Sequence, residues 1–316
     1  MTVQASRTAI RATTGWRARA RGSTRWGAAI AFLSPAMAVI VLFVAVPIAL
    51  TFWISLHDWS MYTPLSQMTW RGLGNYTDLL HSDDFLNALG NTLVYVALVL
   101  VTTVPLALGL GMLLYFPKTA GKAAARAALF STYVIPTVAI AIVWGALYAP
   151  DYGPISQALT AVGIDPPAWL SDPGTALFSL VVFHVWQMTG YYTILVVAGL
   201  TQIPGDVYEA ARIDGAGFWR QTFSVTLPLL RRTTTFIVLI AAINAIQVFD
   251  PVYILTQGGP AESTTVLSYA IQRAAFQNGM AGQASAMAFS LLLVLVAVAG
   301  VVLAAMRRRS APEGRS

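Results

Sequence analysis

Six long apolar stretches, at about 28–56, 91–116, 129–149, 175–200, 233–255 and 285–306, leave this chain few ways to fold. A helix needs about 20 predominantly apolar residues to cross the hydrocarbon core of a bilayer, and each stretch meets that length. The stretches are uninterrupted and close in length, which predicts helices rather than barrel strands. The expected fold class is all-α: a polytopic membrane protein with six transmembrane helices. The membrane domain spans 28–306, between a basic tail at 1–27 and a short tail at 307–316. An even number of spans puts both termini on one side.

The charges orient this arrangement. With the N-terminus inside, 17 of the 19 Lys and Arg residues fall on the cytoplasmic side, and only Arg71 and Arg273 fall outside. Lys and Arg are biased toward cytoplasmic loops, and that bias sets membrane orientation. The tail before the first span holds Arg7, Arg11, Arg17, Arg19, Arg21 and Arg25 and no acid, and the opposite loops hold Asp58, Asp78, Asp83, Asp84, Asp151, Asp165, Asp172 and Glu262. The net charge of +6 therefore reflects orientation and predicts no nucleic-acid partner. A transit peptide would share the Arg-rich tail, but orientation already accounts for it. A cleaved signal peptide would have an apolar region of only about 7–15 residues.

Composition agrees and narrows the chemistry. The chain is 57% hydrophobic and 10% charged, against about 25% charged for soluble domains. It has no cysteine, which excludes disulfides and thiolate chemistry. His57, His81 and His184 are scattered, without metal-ligand spacing. The loops that this orientation places outside mix aromatic and turn residues, including Trp59, Tyr62, Trp70 and Tyr76 in the first and five prolines at 150–173 in the second. Neither is long enough for a separate domain.

The most specific segment runs from Ile203 to Pro228, between the fourth and fifth spans. Pro204-Gly205 predicts a turn out of the membrane. Asp206 can cap a helix, with Glu209 three residues on completing a capping box. A short helix over about 207–213 is expected, with Gly215 supplying the left-handed residue that ends it. A second amphipathic stretch, 218–227, leads to Pro228. By itself such a helix reads as one lying on the membrane surface.

The whole pattern resembles something more particular. Glu209-Ala210-Ala211, Asp214-Gly215-Ala216, Phe223 and Leu227-Pro228 resemble the EAA loop of ABC-importer permeases, with Val225 where isoleucine is common. Gln247 to Pro260 (QVFDPVYILTQGGP) resembles the carbohydrate-importer branch, which includes permeases for disaccharides and glycerol 3-phosphate. Val185 to Gly190, then Ala198-Gly199-Leu200 and Ile203-Pro204, make a third match. The resemblance covers nearly all six spans and is closest to the six-span sugar permeases of actinobacteria. It implies the type I importer permease fold, with Glu209, Ala210, Ala211, Asp214, Gly215 and Ala216 in a coupling helix that docks on an ATPase subunit. It also implies two ATP-binding subunits, a second homologous permease subunit and an extracytoplasmic solute-binding protein. The extra N-terminal spans and large outer domain of the maltose-type subunit have no counterpart, so the binding protein is expected to dock on short outer loops.

The chain has no G-x-x-x-x-G-K-[ST] loop, and Gly121-Lys122 lacks the flanking residues that would cradle phosphates. ATP and Mg are expected on the partner ATPase, with no cofactor on this chain, which is then a transport subunit and not an enzyme.

Polar groups within spans are costly and face the bundle interior or a wet cavity. His184, Gln187 and Tyr191 fall on one face of the fourth span, and Asn244, Gln247, Asp250 and Tyr253 recur along the fifth. Amides and carboxylates can hydrogen-bond sugar hydroxyls, and aromatic rings can cover the C–H face of a pyranose. The same groups can instead join helices. For His184 and Asn244 the two readings stand even; for Gln247, Asp250 and Tyr253 the resemblance favours the path. Pro251 is positioned to open the helix beside Asp250. The expected function is thus the permease subunit of an ATP-driven sugar importer in a bacterial cytoplasmic membrane. Glycerol 3-phosphate or another polyol is the alternative cargo, although Asp250 argues against a strongly anionic one. An ion-coupled transporter would want more acids deep in the spans, and a membrane enzyme would want a catalytic constellation.

Overall fold

A computed structural model describes residues 22–116 and 121–308. The chain divides into two compact units, 1–50 and 51–316. In the first, helix α1 (Gly22–Ile40) continues through one π-helical turn (Val41–Ala45) into α2 (Val46–Ser55). The described side chains of that unit are all exposed, Phe32 at 87% and Phe43 at 70%. A helix that is apolar all round and buries nothing within its own fold requires lipid or a protein neighbour. Helix begins at Gly22, earlier than the expected edge of the span at 28. Most of both predicted tails, 1–21 and 309–316, lies outside the described residues.

The second unit carries the core. After α2, a two-residue ladder pairs β1 (His57–Asp58) with β2 (Thr69–Trp70), and α3 (Gly74–Leu80) follows. Buried Asn75 of α3 donates to the carbonyls of Ser55 and His57, both at 2.8 Å, and so fixes this loop to the end of α2. Next come α4 (Asp83–Tyr115), α5 (Lys122–Val134), α6 (Thr137–Leu147), α7 (Pro154–Ala161) and α8 (Pro173–Leu200). Beyond them lie α9 (Gly205–Ile213), α10 (Phe218–Gln221), a π-helical turn (Thr222–Thr226) and α11 (Leu227–Leu229). The chain closes with α12 (Arg231–Ile246), α13 (Asp250–Leu255), α14 (Leu267–Gln272) and α15 (Ala281–Arg308).

Helices α4, α8 and α12 form the centre. Tyr95 and Val99 of α4 meet Leu180 and Val181 of α8 and Ala245 and Ile246 of α12. Small residues set these distances, as expected where lipid supplies no hydrophobic drive and close packing must hold helices together. A Cβ on Gly190 would overlap the carbonyl of Leu129, and one on Gly111 would overlap the side chain of Val196.

Among the described residues, five segments are long and apolar enough to span a membrane without a sharp bend: Ile30–Ser55, Asp83–Tyr115, Pro173–Leu200, Arg231–Leu255 and Ala281–Ala304. The sixth exists only as a bent pair, α5 and α6, with 99° between them. This corrects the expectation of an uninterrupted span at 129–149. Pro136 forces its predecessor out of the helical region, and Ile135 sits at φ −71°, ψ 132°. Helix α4 begins at Asp83, well before the expected 91, because Ser82 caps it by accepting from the Phe85 amide and two aspartates occupy its first turn.

The fifth span is interrupted as well. Helix α12 ends at Ile246, and α13 restarts at Asp250 with Pro251 in its first turn. The following loop is tied down. The Glu262 carbonyl accepts from the amides of Asn87 and Asn91 of α4, and its carboxylate pairs with Arg273 at 2.7 Å and accepts from Thr265. Partial burial pushes the Glu262 carboxyl upward, but the hydrogen bonds from Arg273 and Thr265 outweigh it, so it titrates below the usual glutamate range. At the other end of α4, Lys122 and Arg126 donate to the carbonyls of Tyr115 and Leu114, satisfying groups that a helix C-terminus leaves open.

Candidate coupling helix and transport path

Helix α9 leaves the bundle at the end where α4 stops and α5 begins. It starts two residues earlier than expected, with Pro204 at the N-cap and no side-chain cap. The predicted capping box between Asp206 and Glu209 is therefore not formed. Asp206 lies inside the first turn, where its charge still complements the positive end of the helix. The C-terminus is as expected. Gly215 has φ +76°, the Ala216 amide donates to the Ala211 carbonyl at 2.9 Å, and the Gly215 amide donates to Arg212 at 3.0 Å. That pair of bonds is a Schellman closure.

One side chain holds α9 to the bundle. Tyr208 is its only buried residue, at 9% exposure. Its ring meets Phe116 edge-on at 5.4 Å and packs in a cluster with Leu200, Ile203 and Leu230. The Thr226 hydroxyl donates to its hydroxyl at 3.4 Å. Burial, partly offset by that hydrogen bond, pushes the phenol above the ordinary tyrosine range. Glu209, Ala210, Asp214 and Gly215 are exposed, and Ala211 and Ala216 are half-buried. The helix thus offers a small, acidic outer surface on a single aromatic root. Sequence reasoning passed over Tyr208, although it is the one large ring in an otherwise small and charged helix.

The polar residues of the spans separate into two groups. Gln187 Nε2 donates to Thr137 Oγ1 at 3.0 Å, and its carbonyl accepts from Thr132 at 3.1 Å, joining α8 to both halves of the bent pair. Asn244 donates to the Tyr192 hydroxyl at 3.0 Å, joining α12 to α8. His184 is 5% exposed, its ring edge-on to Tyr95 at 5.8 Å. Gln187 and His184 are buried in the packed interior, and Asn244 is half-buried. Gln247 and Tyr253 are exposed and Asp250 is half-buried, all at or just after the break between α12 and α13. The Tyr253 ring stacks on Phe249 at 5.3 Å and 25°. The break also alters the expected row, since Asn244 and Asp250 no longer share one continuous helix. Tyr191 stacks on Tyr133 at 4.6 Å and 16°, and Tyr133 is 40% exposed. Tyr133 was not among the sequence candidates, because only the bend at Pro136 shows which way α5 faces.

The comparisons with known proteins agree with this architecture. Residues 103–312 match the family model described as "Binding-protein-dependent transport system inner membrane component". The chain is 32% identical to the "Diacetylchitobiose uptake system permease protein NgcF" of Streptomyces coelicolor, over 91% of this chain and 84% of that one. It is 36% identical to the "Trehalose/maltose transport system permease protein MalF" of Thermococcus litoralis, over 74% of this chain and 78% of that one. A bacterial alginate ABC transporter, solved with an alginate pentasaccharide-bound periplasmic protein, contains a chain of the same fold, with TM-score 0.79 at 22% identity over 91% of this chain and 96% of that one. A multi-pass helical bundle with a short projecting helix, matched by this model over most of its length, belongs to the family of binding-protein-dependent transport system inner membrane components: the chain is a permease subunit of an ABC transporter and not an enzyme.

Proposed function

We propose that this chain forms half of the path by which an ATP-driven importer takes an uncharged sugar or sugar derivative into a bacterial cell. The observation that carries the reading is α9, a short helix rooted by Tyr208 alone, with Glu209 and Ala210 facing outward. That shape suits a lever seated in a cleft of an ATPase subunit. Two such subunits hold ATP and Mg, and their closure moves α9 and, through Tyr208, the ends of α4 and α8. A second permease subunit of similar sequence completes the path, and an extracytoplasmic binding protein delivers the cargo. Both termini are cytoplasmic, in keeping with the 17 of 19 positive residues on that side.

The names of the relatives, for diacetylchitobiose and for trehalose and maltose, support a sugar cargo. Within the chain, Gln247, Asp250, Tyr253 and the Tyr133–Tyr191 pair are the groups available to it: hydrogen-bonding side chains beside exposed aromatic faces. Gln187, Asn244 and His184 hold helices together and act on cargo only through that frame.

Two experiments test the reading. The chain has no cysteine, so Ile213→Cys, at a position 86% exposed on α9, gives a single site for a membrane-impermeant maleimide. Labelling from the cytoplasmic face alone is expected, and labelling from outside intact cells refutes the orientation. Gentle purification from native membrane should bring an ATPase and a second permease with this chain, and the associated binding protein should bind a sugar. Uptake that continues with an ATPase-dead partner and stops with uncouplers refutes the importer.

A further inference from the structure

Beside α9, an apolar groove runs between the end of α4 and α10. Met112, Leu113 and Phe116 form one wall, and Phe218, Trp219 and Thr222 form the other. Two of the lining aromatics are unburied, Phe218 at 60% exposure and Trp219 at 69%, and Phe223 next to Trp219 is 62% exposed. Trp219 is edge-on to Phe218 at 5.3 Å and stacked with Phe223 at 6.1 Å. Aromatic clusters of this kind mark the headgroup level of a bilayer. The groove does not end blindly. Along α4 it leads from Leu113 to the exposed Leu106, seven residues back on the same face of the helix. From Phe116 to Leu106 is about 15 Å of helix at 1.5 Å per residue, the depth of one leaflet's hydrocarbon.

Two cations adjoin the walls of the groove. Arg220 follows Trp219 and is exposed. Lys122 lies 2.9 Å from the carbonyl of Tyr115, the neighbour of Phe116. None of the residues described as lining the groove is acidic.

We propose that this groove seats an acyl chain of an anionic phospholipid of the inner leaflet, with its phosphate at Arg220 and Lys122. The inference rests on the orientation argued above. The tail lies along α4 toward Leu106, and the headgroup meets the cations at the foot of the lever. The lipid packs against the two segments, α4 and α10, that flank α9.

The test uses the permease with its co-purified partners in nanodiscs, so that both faces carry the same lipid and the result does not depend on orientation. Failure here and failure of the topology are therefore separable. The probe is phosphatidylglycerol or phosphatidylcholine with matched brominated chains, which quench nearby tryptophan. The chain has nine tryptophans, so the signal of Trp219 is the difference between the parent and Trp219→Phe. Quenching of Trp219 should occur at lower mole fraction of phosphatidylglycerol than of phosphatidylcholine. Arg220→Gln should weaken that preference about fivefold, the factor expected for one cation at an anionic surface. Equal quenching by the two lipids would identify an ordinary lipid annulus and overturn the proposal. Absence of quenching by either would mean that a partner subunit covers the groove, and overturns it too. A preference that survives both Arg220→Gln and Lys122→Gln has the same consequence.

Discussion

Removing the ring of Tyr208 should disconnect the lever. Truncating a buried aromatic to alanine costs about 3–5 kcal/mol. Tyr208 is 9% exposed and is the only residue of α9 in the core, so that cost falls almost wholly on the docking of the helix, with little on the spans. At the lower bound, about 3 kcal/mol corresponds to roughly a hundredfold loss in the population of docked α9. Tyr208→Phe keeps the contact with Phe116 and loses only the long 3.4 Å bond from Thr226, worth at most about 0.5–1.5 kcal/mol. The assay is reconstitution with the partner ATPases and binding protein, reading ATP hydrolysis and uptake together. Tyr208→Ala should assemble in the membrane, hydrolyse ATP without response to loaded binding protein, and import little. Tyr208→Phe should stay within a few-fold of the parent. Near-normal coupled uptake in Tyr208→Ala, at equal membrane abundance, would refute the single-root picture of α9.

Glu209→Lys should leave membrane level unchanged and abolish ATP-coupled uptake, since the side chain is exposed and its loss cannot disturb the core; uptake at the parental rate is the contrary result. Gln247→Leu or Asp250→Leu should alter transport or cargo preference more than assembly, measured by uptake against co-purification yield. Gly190→Leu should destabilise the bundle, because any Cβ there meets backbone of α5 that has no freedom to move; the readout is the melting temperature of the detergent-solubilised protein. The loop held by Glu262 should loosen in acid. A carboxylate whose pKa is lowered on folding contributes stability above its ordinary range, and that contribution is lost as pH falls through the folded value. Hydrogen exchange at 257–265 should therefore rise below about pH 4 and, in Glu262→Gln, already be raised at neutral pH.

Much of the molecule was legible beforehand. The runs of apolar residues located the spans, and Gly215 marked the end of α9. The capping box failed because Asp206 and Glu209 satisfy a local pattern that the turn at Pro204 pre-empts by starting the helix earlier. The bend of the third span was written in Pro136 but masked by the apolar run on either side of it. The break near Asp250 was readable from Pro251, although its extent, Gln247 to Phe249, was not. Among the polar residues of the spans, His184 and Gln247 look alike as sequence, and only packing separates them.

Hydropathy and charge act locally, residue by residue against lipid and water, so the sequence alone determined the helical class, the approximate places of the spans and the reading of orientation. The resemblance around Glu209 depended on adjacent residues in one loop and was equally local. Which side chains are bonded between helices, which remain open to a cargo, and which single ring roots the lever depend on contacts between residues such as Gln187 and Thr137, 50 positions apart, or Tyr208 and Phe116. Those contacts exist only once α4, α8 and α12 have packed, because the distances that glycines such as Gly190 permit are a property of the assembled bundle.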